Sequence, residues 1–539
     1  MFEFSDTPPA RICIVAIMVV LLCLPWAQTR AQENAVRTPL EFGILWRQEA
    51  HQMQSEPYLQ HTAVKPALNF QPYVDSTRNY KSWLSRKVFS EDFFFMEEPQ
   101  WKVRVNPIFD IRPGREFGAG ENILYHNYGG ALSVQINNKW AIYTEASTGW
   151  ANFPAYLDSF IETSKVVPGQ GLARFGEQTL SYQMAATHIS YRPSKLFNIQ
   201  LGQDRHFIGD GYRSLLLSDV SFPMPYIRSQ LNLGPFQYTN WVMQLMDVRS
   251  NPLSWNLGYR KKYSAMSYLS MQANKRINFG LFQAVVWQAD DSIGGNRVFP
   301  WQYLNPMIFY WPIQFSSGSE GNLLLAVTSR INLDRLGILY GQFILDEVVN
   351  EALFANEGSL ANKFGGQIGW KHYKMFGRQN WFLQAEVNMV RPHTYSHWSP
   401  LTNYSHFSQP LAHPTGANFR EYLLATEFPI SNKVSWTGRI LYTQLGRDTA
   451  GLALGQDIFK NFQTAPGGLE AKGIFIGNGL PASSFHIENA LSFVINPKTN
   501  LRAELRWIYR YEDMTSSQRR TNWVMIGIRS LLSNRYHDF

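Results

Sequence analysis

The residues best able to do chemistry fall in two stretches. The first reads Leu201-Gly202-Gln203-Asp204-Arg205-His206-Phe207-Ile208-Gly209-Asp210-Gly211-Tyr212-Arg213-Ser214-Leu215-Leu216-Leu217-Ser218. Asp204, Arg205, Asp210 and Arg213 put two carboxylates and two guanidinia in a short span, and that combination has two uses. The charges can pair with one another inside a low-dielectric interior and hold a loop, with Gly209 and Gly211 permitting a tight reversal. Alternatively, the arginines grip the carboxylate of an acidic glycan through two hydrogen bonds each while the aspartates accept from its hydroxyls. A calcium site on Asp204 and Asp210 is disfavoured, because the spacing matches no calcium loop and Arg205 intervenes.

The second stretch, Arg391 to Phe419, carries His393, His397, His406 and His413 among Tyr395, Trp398, Tyr404, Phe407 and Phe419. His393 and His397 have the i, i+4 spacing of a helical metal pair. Prolines 392, 400, 410 and 414 argue against that helix, and the nearest carboxylate is Glu421, so no metal is expected. Two readings remain: a packed aromatic loop folded over a pore, or a surface on which sugars stack. In the second, ring faces take the C–H side of the sugar while neutral His, Asn403 or Asn418 satisfy hydroxyls. His393, Tyr395, His397, Trp398 and His413 are therefore candidate ligand contacts.

Other chemistries find no support. The chain has no Gly-x-Ser-x-Gly elbow, Walker loop, dinucleotide fingerprint or His-Glu-x-x-His helix, so neither an enzyme nor a cofactor is expected. The net charge of +8 is spread along the sequence instead of gathered into a stripe, which argues against nucleic acid. Both cysteines, Cys13 and Cys23, lie near the start and leave no thiol chemistry elsewhere.

What must position these residues is legible in period-two alternation, which in a strand sends successive side chains to opposite faces. Leu491, Phe493 and Ile495 lead into Asn496-Pro497-Lys498-Thr499-Asn500; then Leu501, Ala503, Leu505 and Trp507 alternate with Arg502, Glu504 and Arg506. The same pattern brackets Asn137-Asn138-Lys139 and Pro193-Ser194-Lys195, and recurs from Trp381 to Asn388. Of 539 residues, 15% are aromatic and only 17% charged, and no linker divides the chain. After residue 31 no apolar run is long enough for a membrane helix.

A soluble sandwich would also alternate, so the aromatic placement decides. Trp140, Trp150, Trp241, Trp370, Trp381, Trp436, Trp507 and Trp523 sit where interfacial girdles are needed, opposite a face of Gln, Asn, Arg and Glu. The expected fold is an all-β, closed antiparallel transmembrane β-barrel, since a membrane sheet cannot leave edge N–H and C=O groups unpaired. A first strand near Trp101–Ile111 and a last near Asn522–Leu532, at about 24 residues per strand with its share of loop, give about 18 strands of about 9 to 11 residues, with sixteen as the alternative count. Tyr536 and Phe539 resemble the terminal aromatic assembly signal of bacterial outer-membrane barrels.

Arg11, the apolar run Ile12–Trp26 and Ala27-Gln28-Thr29-Arg30-Ala31 read as a secretory signal peptide cleaved after Ala31. The expected division is a signal peptide over 1–31, a partly helical periplasmic or plug segment over 32–98 with its helix within Leu40–Met53, and the barrel over 99–539. Localisation would be the outer membrane of a diderm bacterium, with outer-membrane lipid around the barrel.

The first motif resembles that of the Wzi family of capsule-assembly outer-membrane barrels, and more closely the version in gliding-motility RemB-type proteins. Three further segments resemble the latter: Tyr303-Leu304-Asn305-Pro306-Met307-Ile308-Phe309-Tyr310, Leu339-Tyr340-Gly341-Gln342-Phe343-Ile344-Leu345-Asp346-Glu347, and Arg391-Pro392-His393-Thr394-Tyr395-Ser396-His397 with Pro410-Leu411-Ala412-His413-Pro414. In order, they span residues 200 to 420. The resemblance implies a non-catalytic surface barrel that attaches or assembles capsular or exopolysaccharide, with a link to gliding and to motility or capsule-export machinery. It carries over Asp204, Arg205, Gly209, Asp210, Gly211, Arg213, Asn305, Pro306, Gln342 and Asp346; of these, Gly209, Gly211, Asn305, Pro306, Gln342 and Asp346 are taken as structural. The competing class is a general or substrate-specific diffusion porin, in which Arg502 and Arg506 would line open water.

Overall fold

The computed structural model describes residues 41–55, 58, 60–65, 80–176, 179–250, 258–289, 300–304, 321–346, 357–377, 380–449, 451–515, 517–530 and 533–539. The signal-peptide reading, Asn305 and Pro306 lie outside them. Eighteen antiparallel strands close into one barrel. They are β1 (Trp101–Glu116), β2 (Asn122–Ile136), β3 (Trp140–Asn152), β4 (Leu180–Tyr191), β5 (Phe197–Asp204), β6 (Met224–Leu233), β7 (Phe236–Asp247), β8 (Arg260–Gln272) and β9 (Ile277–Gln288). The second half comprises β10 (Asn322–Asn332), β11 (Ile338–Asp346), β12 (Lys363–His372), β13 (Phe382–Val390), β14 (Phe419–Pro429), β15 (Val434–Arg447), β16 (Leu480–Asn496), β17 (Leu501–Met514) and β18 (Ser517–Arg529). Closure runs from Trp523 opposite Glu116 to Arg529 opposite Asp110.

Alternation produces the two faces as expected. Along β17, Arg502, Glu504, Arg506 and Arg510 are buried in the lumen, while Leu505 and Trp507 face outward and are exposed. Short turns at one end include Asn137-Asn138-Lys139, where both asparagines take positive φ, a conformation asparagine tolerates better than most residues. The longer connections lie at the opposite end, the one expected to be extracellular.

Three expectations need correcting. Strands run from 8 residues in β5 to 17 in β16, beyond the range set by hydrocarbon thickness, because hairpin pairing continues past the apolar band into water. Trp241 and Trp523 are buried inside the barrel and do not join a lipid-facing girdle; Trp241 lies under Arg228 and Trp523 beside His537. An aromatic ring suits either face, so its presence alone cannot choose one. Finally, β18 stops at Arg529, and residues 533–539 turn into the lumen. Phe539 packs against Phe160 there, at 4.8 Å between ring centroids, and not against lipid.

The N-terminal segment also enters the barrel. Helix α1 (Phe42–Ser55) stacks Trp46 on Phe382 of β13 and places Phe42 against Tyr212. A second helix, α2 (Trp83–Phe89), is held at the rim where Asn496 donates to the carbonyls of Lys87 and Glu91. Phe94–Glu98 then pairs with the start of β1, so the sheet begins before residue 99. Helix α3 (Ala155–Ser164), after β3, buries Tyr156, Leu157 and Ile161.

Candidate functional site

The first motif is an inward loop. After β5 the chain drops into the lumen, and residues 205–221 are almost wholly buried before β6 returns to the wall. A backbone inside a barrel must find partners for its N–H and C=O groups. Phe207–Ile208 pairs as a short strand with Val64–Lys65. Elsewhere, polar side chains of the wall serve as partners. Gln342 of β11 accepts from Leu215 N at 2.8 Å and donates to the Ile208 carbonyl at 3.1 Å. Gln367 of β12 donates to the Arg213 carbonyl at 3.0 Å. The carboxylate of Glu386 on β13 accepts from Tyr212 N at 2.9 Å and Arg213 N at 3.1 Å.

Both motif glycines are explained by close approach. Gly209 has φ +153°, and a Cβ there would stand 2.6 Å from Gln342 Nε2. At Gly211 a Cβ would meet a Glu386 oxygen at 2.3 Å.

Arg213 is the hub of one ion cluster. Its Nε and Nη2 donate to the two oxygens of Glu421 on β14 at 3.2 and 3.3 Å, and its Nη1 and Nη2 donate to Asp538 Oδ1 and the Asp538 carbonyl at 3.2 and 2.9 Å. One guanidinium thus joins the inward loop, the wall and the C-terminal tail. Burial opposes the charge on Asp538, yet Arg213 and Arg439 outweigh it and hold that carboxyl below its ordinary value. The tail is tied further by Tyr536 donating to Asp219 at 2.6 Å and Tyr212 donating to Asp538 at 2.5 Å.

Asp210 belongs to a second cluster. Thr62 donates to it at 2.7 Å, and Lys371 of β12 lies at 3.4 Å, Lys65 at 3.8 Å and Arg330 of β10 at 3.7 Å. The two lysines also hold Glu49 of α1, at 2.8 Å from Lys65 and 3.2 Å from Lys371, and Tyr373 donates to the same carboxylate. Burial raises Glu49 and Asp210, and the surrounding cations lower both by more. Asp204 accepts from Arg205 N at 2.8 Å and faces His188 at 3.2 Å. Arg205 is itself buried.

The histidine-rich stretch, residues 391–418, folds inward from the same end. Asp346 of β11 accepts from Tyr395 N at 2.5 Å, and Lys262 of β8 donates to Asn403 and Ser405. The loop lies directly on the first one. Tyr395 and Tyr404 donate to the carbonyls of Leu215 and Leu216 at 2.8 and 2.6 Å, and Ser218 N donates to the Leu411 carbonyl at 2.7 Å. His393 lies in a turn with φ +65° and not on a helix. His397 contacts Thr402, and His413 contacts Glu421 at 2.9 Å. No group of three metal-ligating side chains occurs among the described residues.

The candidate residues are therefore gathered in two adjoining inward loops, but each is held by partners on the wall, the N-terminal segment, the tail or the other loop. Asp204, Arg205, Arg213, His393, Tyr395, His397 and His413 are buried, Asp210 nearly so, and Trp398 is half-buried at the loop's outer edge. Residues of equal weight went unselected: Glu49, Lys371, Gln367, Glu386, Glu421 and Asp538. Alternation alone identifies Glu386 and Glu421 as lumen carboxylates; nothing local reveals that their partner is Arg213.

No family model matches the chain, and no curated protein matches it by sequence. Among solved structures it is similar to Wzi of Escherichia coli, described as an outer-membrane protein involved in group 1 capsule assembly and a carbohydrate-binding β-barrel. The TM-score is 0.51 at 14% identity, over 92% of this chain and 99% of that one. Acinetobacter baumannii OccAB2 matches with TM-score 0.42 and 10% identity over 79% of this chain and 97% of that one. Pseudomonas aeruginosa OprD matches with TM-score 0.42 and 8% identity, over 82% and 96%. In fold, the chain is a closed 18-stranded barrel similar to that of Wzi.

Proposed function

We propose that this barrel is a non-catalytic surface protein of the outer membrane that attaches or assembles exported polysaccharide, with gliding as a process that such surface material would serve. The observation that carries this reading is the filled lumen. Two loops from one end, α1 and the C-terminal tail meet inside the barrel and are joined by buried ion pairs and hydrogen bonds, where a diffusion porin needs water. Arg502 and Arg506, which an open pore would present to solvent, are instead paired with Glu41, Glu488 and Glu504. The fold likeness to a carbohydrate-binding capsule-assembly barrel supports the same direction.

In this reading the buried candidates Asp204, Arg205, Asp210, Arg213, His393, Tyr395, His397 and His413 are the scaffold that shapes the outer face of the loops. Glycan contact is assigned to that face, with Trp398 as the ring available for stacking. Partners would be surface polysaccharide, outer-membrane lipid and the capsule-export or motility machinery. The test is a deletion strain scored separately for retained cell-surface polysaccharide and for gliding. Loss of retention supports the reading; wild-type retention and wild-type gliding together would refute it.

A further inference from the structure

Among the described residues, a cleft lies unfilled between α1, the tail and the wall from β14 to β18, toward the short-turn end. Its floor is made of small residues: Ser435 and Thr437 of β15 stand opposite Ser492 and Ala490 of β16. The cleft opens to solvent beside Arg47, whose side chain is partly exposed.

The rim is unevenly charged. Seven arginines line the cleft against four glutamates, so carboxylates are shared. Glu504 serves Arg502, Arg506 and Arg529, Glu41 serves Arg502 and Arg529, and Glu488 serves Arg439 and Arg506. Adding Asp110, which serves both Arg112 and Arg535, still leaves five carboxylates for seven guanidinia. Asp538, the next carboxylate along the tail, is held by Arg213 and is also stabilised by Arg439. Three N–H groups of this rim have no hydrogen-bond acceptor: Nε of Arg439, whose side chain lies on the same face of β15 as Thr437, Nε of Arg502, which stands 3.3 Å from Glu504 outside hydrogen-bonding geometry, and Nε of Arg529, whose side chain is 3% exposed; one oxygen of Glu427 is likewise without a donor. A buried donor without a partner is costly, the more so when charged, and guanidinium is the group best matched to a planar carboxylate.

We infer that this cleft binds a carboxylated sugar, an inference that rests on the polysaccharide-handling reading above. The sugar's carboxylate would meet Arg439, its hydroxyls would lie over Ser435, Thr437 and Ser492, and Arg529 would face it from the opposite rim. The small floor leaves room for a ring, and the charge excess selects an acidic one. Access is from the short-turn side, the side from which exported material arrives if those turns are periplasmic.

The test is calorimetric titration of the purified full-length protein in detergent with glucuronate, glucose and sulfate. Glucuronate should bind at least tenfold more tightly than glucose, and Ser492→Trp, which fills the floor and leaves every arginine in place, should weaken it at least tenfold while keeping the folded barrel's electrophoretic mobility. Should Ser492→Trp not fold, Arg439→Gln provides the same comparison. The inference is overturned if glucuronate binds no better than glucose, if the cleft variant binds it as wild type does, or if sulfate competes equally, which would indicate an inorganic-anion site. Its failure is separable from that of the functional reading: glucuronate binding in a protein whose deletion leaves surface polysaccharide intact would refute only the latter.

Discussion

A Cβ on Gly211 would stand 2.3 Å from a carboxylate oxygen of Glu386. The inward loop and β13 therefore meet only because residue 211 has no side chain. Gly211→Ala should push Tyr212 and Arg213 off the carboxylate that accepts their N–H groups, a loss of about 1 to 3 kcal/mol. Gly366→Ala, where a Cβ would meet nothing within 4 Å, should stay within about 0.5 kcal/mol of wild type. Thermal melts of the two variants make the comparison, and equal melting temperatures would show that the close approach is not maintained in solution.

Arg213 touches wall, loop and tail at once, beside Tyr212, which does the same through Glu386 and Asp538. Arg213→Ala leaves Glu421 and Asp538 buried with reduced compensation, a loss of about 3 to 5 kcal/mol. Arg213→Lys keeps the charge but cannot form the two-pronged contact with Glu421, so it should fall between alanine and wild type. Limited proteolysis reads the result as the rate of cutting within 205–223, which should rise in that order.

Acid should loosen the histidine-bearing loops. Burial pushes His393 down to about 4, and His206 and His406 to about 3, from an ordinary value of 6.5. Between pH 6.5 and about 4 the unfolded chain binds protons that the folded loops refuse, so stability falls as pH drops through that window, by at most about 1.4 kcal/mol per pH unit for each histidine. Glu49, Asp210 and Asp538, all lowered in the fold, add a further loss as pH falls below the ordinary carboxylate range. Urea midpoints at pH 7, 5.5 and 4.5 should decrease in that order; a flat series would mean that these imidazoles are solvated.

The plug predicts silence in planar bilayers. Wild-type protein should show no steady conductance, whereas deletion of residues 533–539, which removes Asp538 from Arg213 and Tyr536 from Asp219, should admit ions. Porin-like conductance in the wild type would contradict the filled lumen on which the proposed function rests.

How much of this was legible in advance differs from element to element. The Leu501–Trp507 alternation specified which side of β17 is greasy, and the turns at Asn137 and Pro193 specified where hairpins reverse. Gly209, Gly211, Gln342 and Asp346 were singled out as structural, and each makes a close contact within or onto an inward loop. The helix was expected within Leu40–Met53 and spans Phe42–Ser55. By contrast, Trp241 and Trp523 were assigned to the wrong face, and nothing in the terminal aromatic pattern showed that Phe539 packs on Phe160 inside the lumen.

The sequence by itself determined the barrel, because a two-residue period is a property of neighbours and needs no knowledge of distant partners. Only the tertiary structure decided what fills it. Arg213 finds Glu421 and Asp538 across separations of 208 and 325 residues, and Glu49 finds Lys371 across 322. A lumen strand offers many polar positions at the same spacing, and which of them faces a given charge is fixed by closure of the wall, since the low dielectric inside strongly penalises any charge left without its partner.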